Sequence, residues 1–386
     1  MQVNFGTLVT NCGIIFDANG NYGVKNNTMT ITGSNWNGMA VFPNGITAAS
    51  ILYSKIFNKK TIIPNSVTNG ELMFDGCNML NQNTQIPNGV TTTNYMFRNC
   101  FNLNQNIQIP NTVLTAQNMF RNCFNLNQSI KIPNSITEAQ NMFSYCQKLN
   151  QNIQIQNGIT CNMHGLFFNC VTLNQNIQIP NGVTNVVSMF SGCYNLNQNI
   201  GIPNSVTDAS SMFVNCQNLN QNIQIPNSIT TVTRMFNGCR NLNQNIQTPN
   251  SVTSMTYMFS GCQNLNQNIQ IPNSVTNVVR MFTGCQNLNR NIRIPGNVTN
   301  MSYMFENCNN LSNITIDPTE RTVSNANAFI RSNNSKSLNV WTDSNTATNI
   351  MNAGFIQGNI KPTMETITNG YYNAQYNVYI YTNAFS

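Results

Sequence analysis

Eleven cysteines share one register. Cys77, Cys100, Cys123, Cys146, Cys170, Cys193, Cys216, Cys239, Cys262, Cys285 and Cys308 follow one another every 23 residues, with a single step of 24 between Cys146 and Cys170. A fixed period of this length is the signature of a solenoid, in which each copy is one coil. The copy ending at Cys123 carries Leu103, Ile107, Ile109, Val113, Met119, Phe120 and Cys123 as its apolar set. Seven such side chains cannot enclose a core alone, so coils must stack and share one. A chain of 386 residues could hold several ordinary domains, but the repeat takes up most of it. The expected organisation is an N-terminal β cap over residues 1–42, a solenoid over 43–340 and a Tyr-rich C-terminal cap or docking segment over 341–386.

Charged residues make up only 7% of the chain, so Asn and Gln supply the polar surface instead. Such a composition also occurs in disordered low-complexity segments. The recurrence of the apolar set at fixed offsets decides for a folded chain, because stacked coils bury enough surface to offset ordering. The 17 basic and 10 acidic residues give a net charge of +7 spread along the chain, which is a mild bias and not a nucleic-acid-binding patch. No apolar run reaches the 18 residues of a membrane span, so no membrane insertion is expected. The start, Met1-Gln-Val-Asn-Phe-Gly6, lacks the basic-then-apolar pattern of a secretory leader. A chain of this kind acting outside a cell would be a processed fragment or part of a particle such as a virion. The cysteine column is expected to hold buried free thiols, because parallel side chains on neighbouring coils rarely meet disulfide geometry.

Within a coil, Ile107-Gln108-Ile109 alternates like a short strand and Pro110 ends it. Thr115, Thr137, Thr207 and Thr230 then occupy positions suited to a helix N-cap, and Glu138 and Asp208 directly follow two of them. A short helical or 3-10 segment carrying Met-Phe is expected to close the coil. At the N-terminal end, Gly13-Ile-Ile-Phe16, the turn signal Asn19-Gly20 and the alternating Thr28–Thr32 suggest a small β cap, and Pro43 to Phe57, followed by Lys59-Lys60, a degenerate first coil. At the other end, Leu338–Trp341 and Val378–Tyr381 read as strands and Thr366–Tyr372 as a hairpin.

The frame Leu-Asn-Gln-Asn-Ile-Gln-Ile-Pro-Asn-Ser-Val-Thr, then Met-Phe and Gly-Cys, resembles the BspA-type leucine-rich repeats and the related short repeats of bacterial surface lipoproteins. Asn297-Val-Thr-Asn-Met-Ser-Tyr-Met-Phe-Glu-Asn-Cys308 is especially similar to the latter. The resemblance covers roughly residues 43 to 340. The chain differs in having Leu-x-x-x-Ile where the family more often has Leu-x-x-Ile; Leu311-Ser-Asn-Ile314 keeps the shorter form. The resemblance implies a right-handed parallel solenoid of leucine-rich-repeat type, roles in adhesion or host recognition, and no enzymatic activity.

The residue between the two strand isoleucines forms an outward column: Gln108, Lys131, Gln154, Gln178, Gly201, Gln224, Gln247, Gln270 and Arg293. Glycoside hydrolysis needs two carboxyl groups about 5–10 Å apart. This column has none, and Glu138, Asp208 and Glu306, the acids between Cys77 and Cys308, stand in distant coils. The amides suit a hydrogen-bonded ladder between coils, with a glycan-binding face as the alternative. Arg98, Phe101, Arg121 and Phe124 suggest a second patch beside the cysteines, since exposed Arg and aromatic residues anchor interfaces. Arg234 and Arg280 recur two coils apart, with Arg240, Arg290 and Arg293 nearby. The 24-residue coil has Gln156 in place of the proline and brings Cys161 and the only histidine, His164. Cys161-x-x-His164 is expected on a surface bulge, away from the inward cysteines, so no metal is expected. Asp17–Gly23 lacks the Gly and Glu positions of a calcium loop, and no phosphate loop or catalytic triad stands out. No cofactor is expected. The chain reads as a non-catalytic surface-recognition component, of phage or virion fibre type, on a virion or cell surface and facing outward. Alternatives are a secreted bacterial adhesin or a purely architectural subunit. Its expected partners are proteins of an assembly, a host-surface glycan or protein, or further copies of itself.

Overall fold

A computed structural model describes residues 15–16, 22–23, 28–32, 47–52, 57–58, 60–318, 338–353, 365–367, 370–373 and 378–382. The turn at Asn19-Gly20, the Asp17 loop, Pro43, Lys59 and Tyr376 lie outside them. The chain forms two compact units, Met1–Leu196 and Asn197–Ser386, each a stack of coils of the leucine-rich-repeat kind.

The core of each coil is the apolar set named from the sequence. In the first unit Leu103, Met119, Phe120 and Cys123 are fully buried, and so are their equivalents from coil to coil. The phenylalanines stack face to face, with ring centroids 5.4–5.7 Å apart from Phe74 to Phe190. In the second unit, Phe213 to Phe305 repeat the column at 5.6–5.9 Å. Parallel offset rings are a favourable geometry as well as a large apolar burial.

Every described cysteine is free and buried, and the thiol has a definite place. Cys123 Sγ donates to the Phe97 carbonyl of the preceding coil at 3.1 Å, and that carbonyl also accepts the Cys100 N–H at 3.1 Å. The same bond recurs from Cys100 to Phe74 and from Cys146 to Phe120, and in the second unit from Cys262 to Phe236. A small apolar side chain that can still donate weakly suits this position.

The segment expected to be helical or 3-10 is neither. It is a run of turns whose N–H groups alternate between two kinds of partner. Met96, Arg98 and Cys100 bond three residues back, to Thr93, Tyr95 and Phe97, whereas Thr93, Tyr95, Phe97 and Asn99 bond to Thr115, Gln117, Met119 and Arg121 of the next coil. Left-handed residues at Tyr95 (φ 56°) and Asn99 (φ 61°) reverse the peptides and make this possible. Each coil repeats the pair, before Met and before Cys. Two of the threonines placed as N-caps reach across coils instead, Thr137 Oγ1 donating to the Leu114 carbonyl at 3.1 Å and Thr230 Oγ1 to that of Thr207 at 3.3 Å, whereas the Thr115 hydroxyl is buried without a partner among the described residues. At the acidic position that follows, Asp208 Oδ1 accepts the Ser210 N–H at 2.8 Å, an Asx turn and not a helix start.

Strand pairing between the Ile-x-Ile segments is formed in few coils. In the first unit, β5 (Ile130–Ile132) and β6 (Ile153–Ile155) pair in parallel. In the second, β7 (Ile292–Ile294), β8 (Asn313–Ile316) and β9 (Leu338–Trp341) do so. Elsewhere single parallel bridges, such as Asn69 to Thr92 to Thr115 to Glu138, link coils at the residue after Val-Thr or its equivalent.

At the N-terminal end β1 (Ile15–Phe16) and β2 (Tyr22–Gly23) form an antiparallel pair, and β3 (Thr28–Thr32) runs parallel to β4 (Ala48–Leu52). In the second unit the sheet continues from β9 into β12 (Val378–Tyr381), which pairs with β11 (Gly370–Asn373) and through it with β10 (Glu365–Ile367). The hairpin at Thr366–Tyr372 therefore forms. A helix not expected from the sequence, α1 (Ser344–Ala353), follows β9; its N-cap Asp343 accepts the N–H groups of Asn345 and Thr346 at 2.9 and 3.1 Å. Burial pushes the Asp343 carboxyl upward, but these hydrogen bonds outweigh it and leave its pKa lowered.

Candidate recognition surface

The outward column runs as expected in each unit. Gln108, Lys131, Gln154 and Gln178 are exposed in the first, and Gly201, Gln224, Gln247, Gln270 and Arg293 in the second. It is not a ladder. Gln108 Nε2 donates to Asn106 of its own coil at 2.7 Å, and Gln178 to Asn176 at 2.9 Å. Arg293 makes a two-point contact with Asp317, at 2.9 and 2.6 Å. At the start of the column, Ile62, Gln85 and Gln108 border an open groove of about 630 Å³ with Asn83, Asn88 and Lys60, and Ile62 is 65% exposed there.

The coil-to-coil ladder lies at the first Asn of Leu-Asn-Gln-Asn. Asn104 Oδ1 accepts the Asn127 N–H at 2.9 Å and the Gln128 side-chain amide at 3.0 Å, just as Asn81 Oδ1 accepts from Asn104 and Gln105. The second unit repeats it through Asn197, Asn220, Asn243, Asn266 and Asn289. Each carbonyl oxygen thus satisfies a backbone donor that the coil cannot bond internally. Beside the ladder in the first unit lies a second column, Met79, Asn102, Asn125 and Lys148, and the two columns line a groove of about 480 Å³.

The Arg/Phe patch separates into different columns. Phe101 and Phe124 stack on each other at 4.8 Å. Arg98 lies over the Tyr95 ring at 4.7 Å and pairs with fully buried Asp75 at 2.5 Å, so its guanidinium ties neighbouring coils together. Arg121 lies 6.0 Å from the Tyr145 ring. In the second unit Arg234 and Arg280 belong to a stack not expected from the sequence. Tyr257 lies between them, at 5.0 and 6.0 Å, and Arg280 also covers Tyr303 at 4.5 Å while pairing with Glu306 at 3.0 Å. The signal was available, since residues 234, 257, 280 and 303 are each 23 apart. Cation–π contacts of this kind contribute roughly 0.5–1 kcal/mol each at exposed sites.

The inserted coil also differs from expectation. Cys161 is buried, not on a protruding bulge, and its thiol is pushed up to about 12 by burial. The extra residue falls between Ile159 and Asn162, and Asn162 keeps its bridges to Glu138 and Asn185. Among the described residues no three metal-ligating side chains come together. Several acids are tied into the scaffold: Asp75, Glu306 and Asp317 by arginines, Glu138 by Gln117, Asp208 and Asp343 by backbone N–H groups.

These features define a leucine-rich-repeat solenoid. The fold is similar to a leucine-rich repeat protein of Bacteroides ovatus, with a TM-score of 0.57 and 20% identity over 87% of this chain and 94% of that one. It is also similar to a leucine-rich cell surface protein of Faecalibacterium prausnitzii, with a TM-score of 0.50 and 22% identity over 82% and 96%. No curated protein matches the chain. The chain belongs to the family described as "Mycoplasma protein of unknown function, DUF285", matched in overlapping segments at residues 54–157, 133–225, 156–247 and 225–318.

Proposed function

We propose that the chain is a non-catalytic recognition module displayed on a surface, which binds a host-surface glycan or protein through its outward columns. One observation carries this. The repeating residues are spent on the core and the coil-to-coil bonds, and the grooves left over are lined mainly by amides, with Asp75, Glu306 and Asp317 already held by arginines. Amides both donate and accept, which suits sugar hydroxyls and peptide groups and does not suit acid–base chemistry at neutral pH. The likeness to a solenoid described as a cell surface protein supports the surface placement. The described helices offer no membrane span. The carrier is a virion or fibre in one form of this reading and a bacterial cell in the other. Fractionation of the producing material separates them, because a fibre protein sediments with particles and an adhesin with cell envelopes. Binding of the labelled chain to a glycan array and to a panel of intact cells tests recognition itself; binding to none of them contradicts it.

An architectural role has its own support. β10 is the outer strand of the six-stranded sheet, and an edge strand can accept another chain. A stable complex formed through this end, without cell or glycan binding, would favour that role.

A further inference from the structure

Where the 24-residue coil meets its neighbours, the first unit has a pocket of about 270 Å³. Its floor and walls do not follow the repeat. Gly165 takes the place of the larger Tyr95 or Leu72 of earlier coils, and a Cβ there would lie 2.3 Å from Asn141 Oδ1. Asn141, Ser188 and His164 open into the space, Ser144 is 2% exposed beneath it, and Tyr145 and Phe168 meet edge to face at 5.5 Å. Arg121 closes one side; its guanidinium lies 6.0 Å from the Tyr145 ring and makes one hydrogen bond, a long one to Asn118 at 3.4 Å, and among the described residues no carboxylate pairs with it. The Asn141 amide, the Ser144 and Ser188 hydroxyls and the His164 ring likewise make no hydrogen bond among the described residues. Partly enclosed polar groups that converge without internal partners are the pattern of a ligand site.

Tyr145 adds a second, independent sign. It sits before Cys146 in the left-handed region, φ 63°. In the other described coils this position is Gly or Asn, as at Gly76, Asn99, Asn122, Asn169 and Gly192, the residues that tolerate that conformation best. Bulky left-handed residues such as Tyr95 and Tyr257 otherwise stand before the methionine of a coil; Tyr145 is the one placed before a described column cysteine, and its ring lines the pocket.

We propose that this pocket binds an acidic sugar, the carboxylate-bearing terminal residue of a glycan. The carboxylate pairs with Arg121, the C–H face of the pyranose packs on Tyr145 and Phe168, and the hydroxyls bond to Asn141, Ser144, Ser188 and His164. The pocket is smaller than a drug-sized site, which begins at about 300 Å³, and it suits a single sugar ring. The proposal rests on the recognition reading and names its ligand class.

The test is calorimetric titration of the full chain with D-glucuronate, D-glucose and acetate. Glucuronate should bind at least about tenfold more tightly than either control, because only it offers both the charge and the ring. Arg121→Gln should remove that preference. Tyr145→Asn should weaken glucuronate binding while raising the melting temperature, a pairing that a merely structural tyrosine would not produce. Glucuronate binding no tighter than glucose or acetate, or unchanged in Arg121→Gln, overturns the proposal. Cell or glycan-array binding that survives Arg121→Gln would leave the recognition reading standing while this pocket falls.

Discussion

The ladder at Asn104 makes the sharpest structural prediction. In Asn104→Ala the two bonds accepted by Oδ1, from the Asn127 N–H and the Gln128 amide, are lost, while the Asn104 N–H keeps its own bond to Asn81. The Gln128 amide can turn to water at little cost. The Asn127 N–H is half-buried and fixed by the coil, so it loses a partner that water replaces only partly. An orphaned buried donor costs about 1–3 kcal/mol, and partial exposure places this one near 1–2 kcal/mol. Asn104→Asp keeps an acceptor at the same point and, since Asn104 Nδ2 makes no bond among the described residues, should change stability by less than about 0.5 kcal/mol. Amide hydrogen exchange reads this locally. Exchange at Asn127 should accelerate about 5–30-fold in Asn104→Ala and stay near the native rate in Asn104→Asp. Unchanged exchange at Asn127 in the alanine variant, or equal acceleration in both variants, would refute the ladder.

Other outcomes follow from the same geometry. Tyr145→Asn should stabilise the chain by about 1 kcal/mol, by relieving a left-handed bulky residue, seen as a higher urea midpoint. Phe120→Ala removes a ring stacked on both sides, at 5.6 and 5.4 Å, and should cost about 3–5 kcal/mol, so that the urea transition shifts or splits. The thiols should be almost inert to iodoacetamide in the native state and react on unfolding. Burial raises the pKa of the column thiols, Cys146 among them, and takes Cys161 to about 12. With folded pKa values above the unfolded ones, this stability is complete below about pH 8.5 and declines as pH rises through the raised values; urea midpoints should therefore fall above pH 9.

Much of the scaffold was legible because its periodicity is strict. The cysteine register gave the coils, and the same offsets picked out Leu103, Met119, Phe120 and Cys123 as core. Local patterns misled where bonds run between coils. A Thr followed by Glu138 or Asp208 looks like a helix start, yet the N–H groups of Thr93, Tyr95, Phe97 and Asn99 find carbonyls 22 residues further on, and no local propensity encodes that. The Asn or Gly before nearly every cysteine was a readable sign of left-handed turns. The ladder was misplaced because Gln108 and Asn104 are both amides at fixed offsets, and only the fold decides which of them faces its neighbour. The buried Cys161 was read as outward because an inserted residue can bulge either way. The pocket around Arg121 and Tyr145 depends on Gly165 lying beside Asn141, a juxtaposition across coils.

The recognition reading is tested most directly by cell binding of the full chain against a variant with Gln85, Gln108, Lys131 and Lys148 all changed to Ser. These side chains border the outward column and the amide groove and leave the buried core untouched. The account predicts that the native chain binds at least one cell type, and that the variant keeps its melting temperature but binds at least about tenfold more weakly. Equal binding by a folded variant, or no binding by the native chain to any cell or glycan, would contradict it.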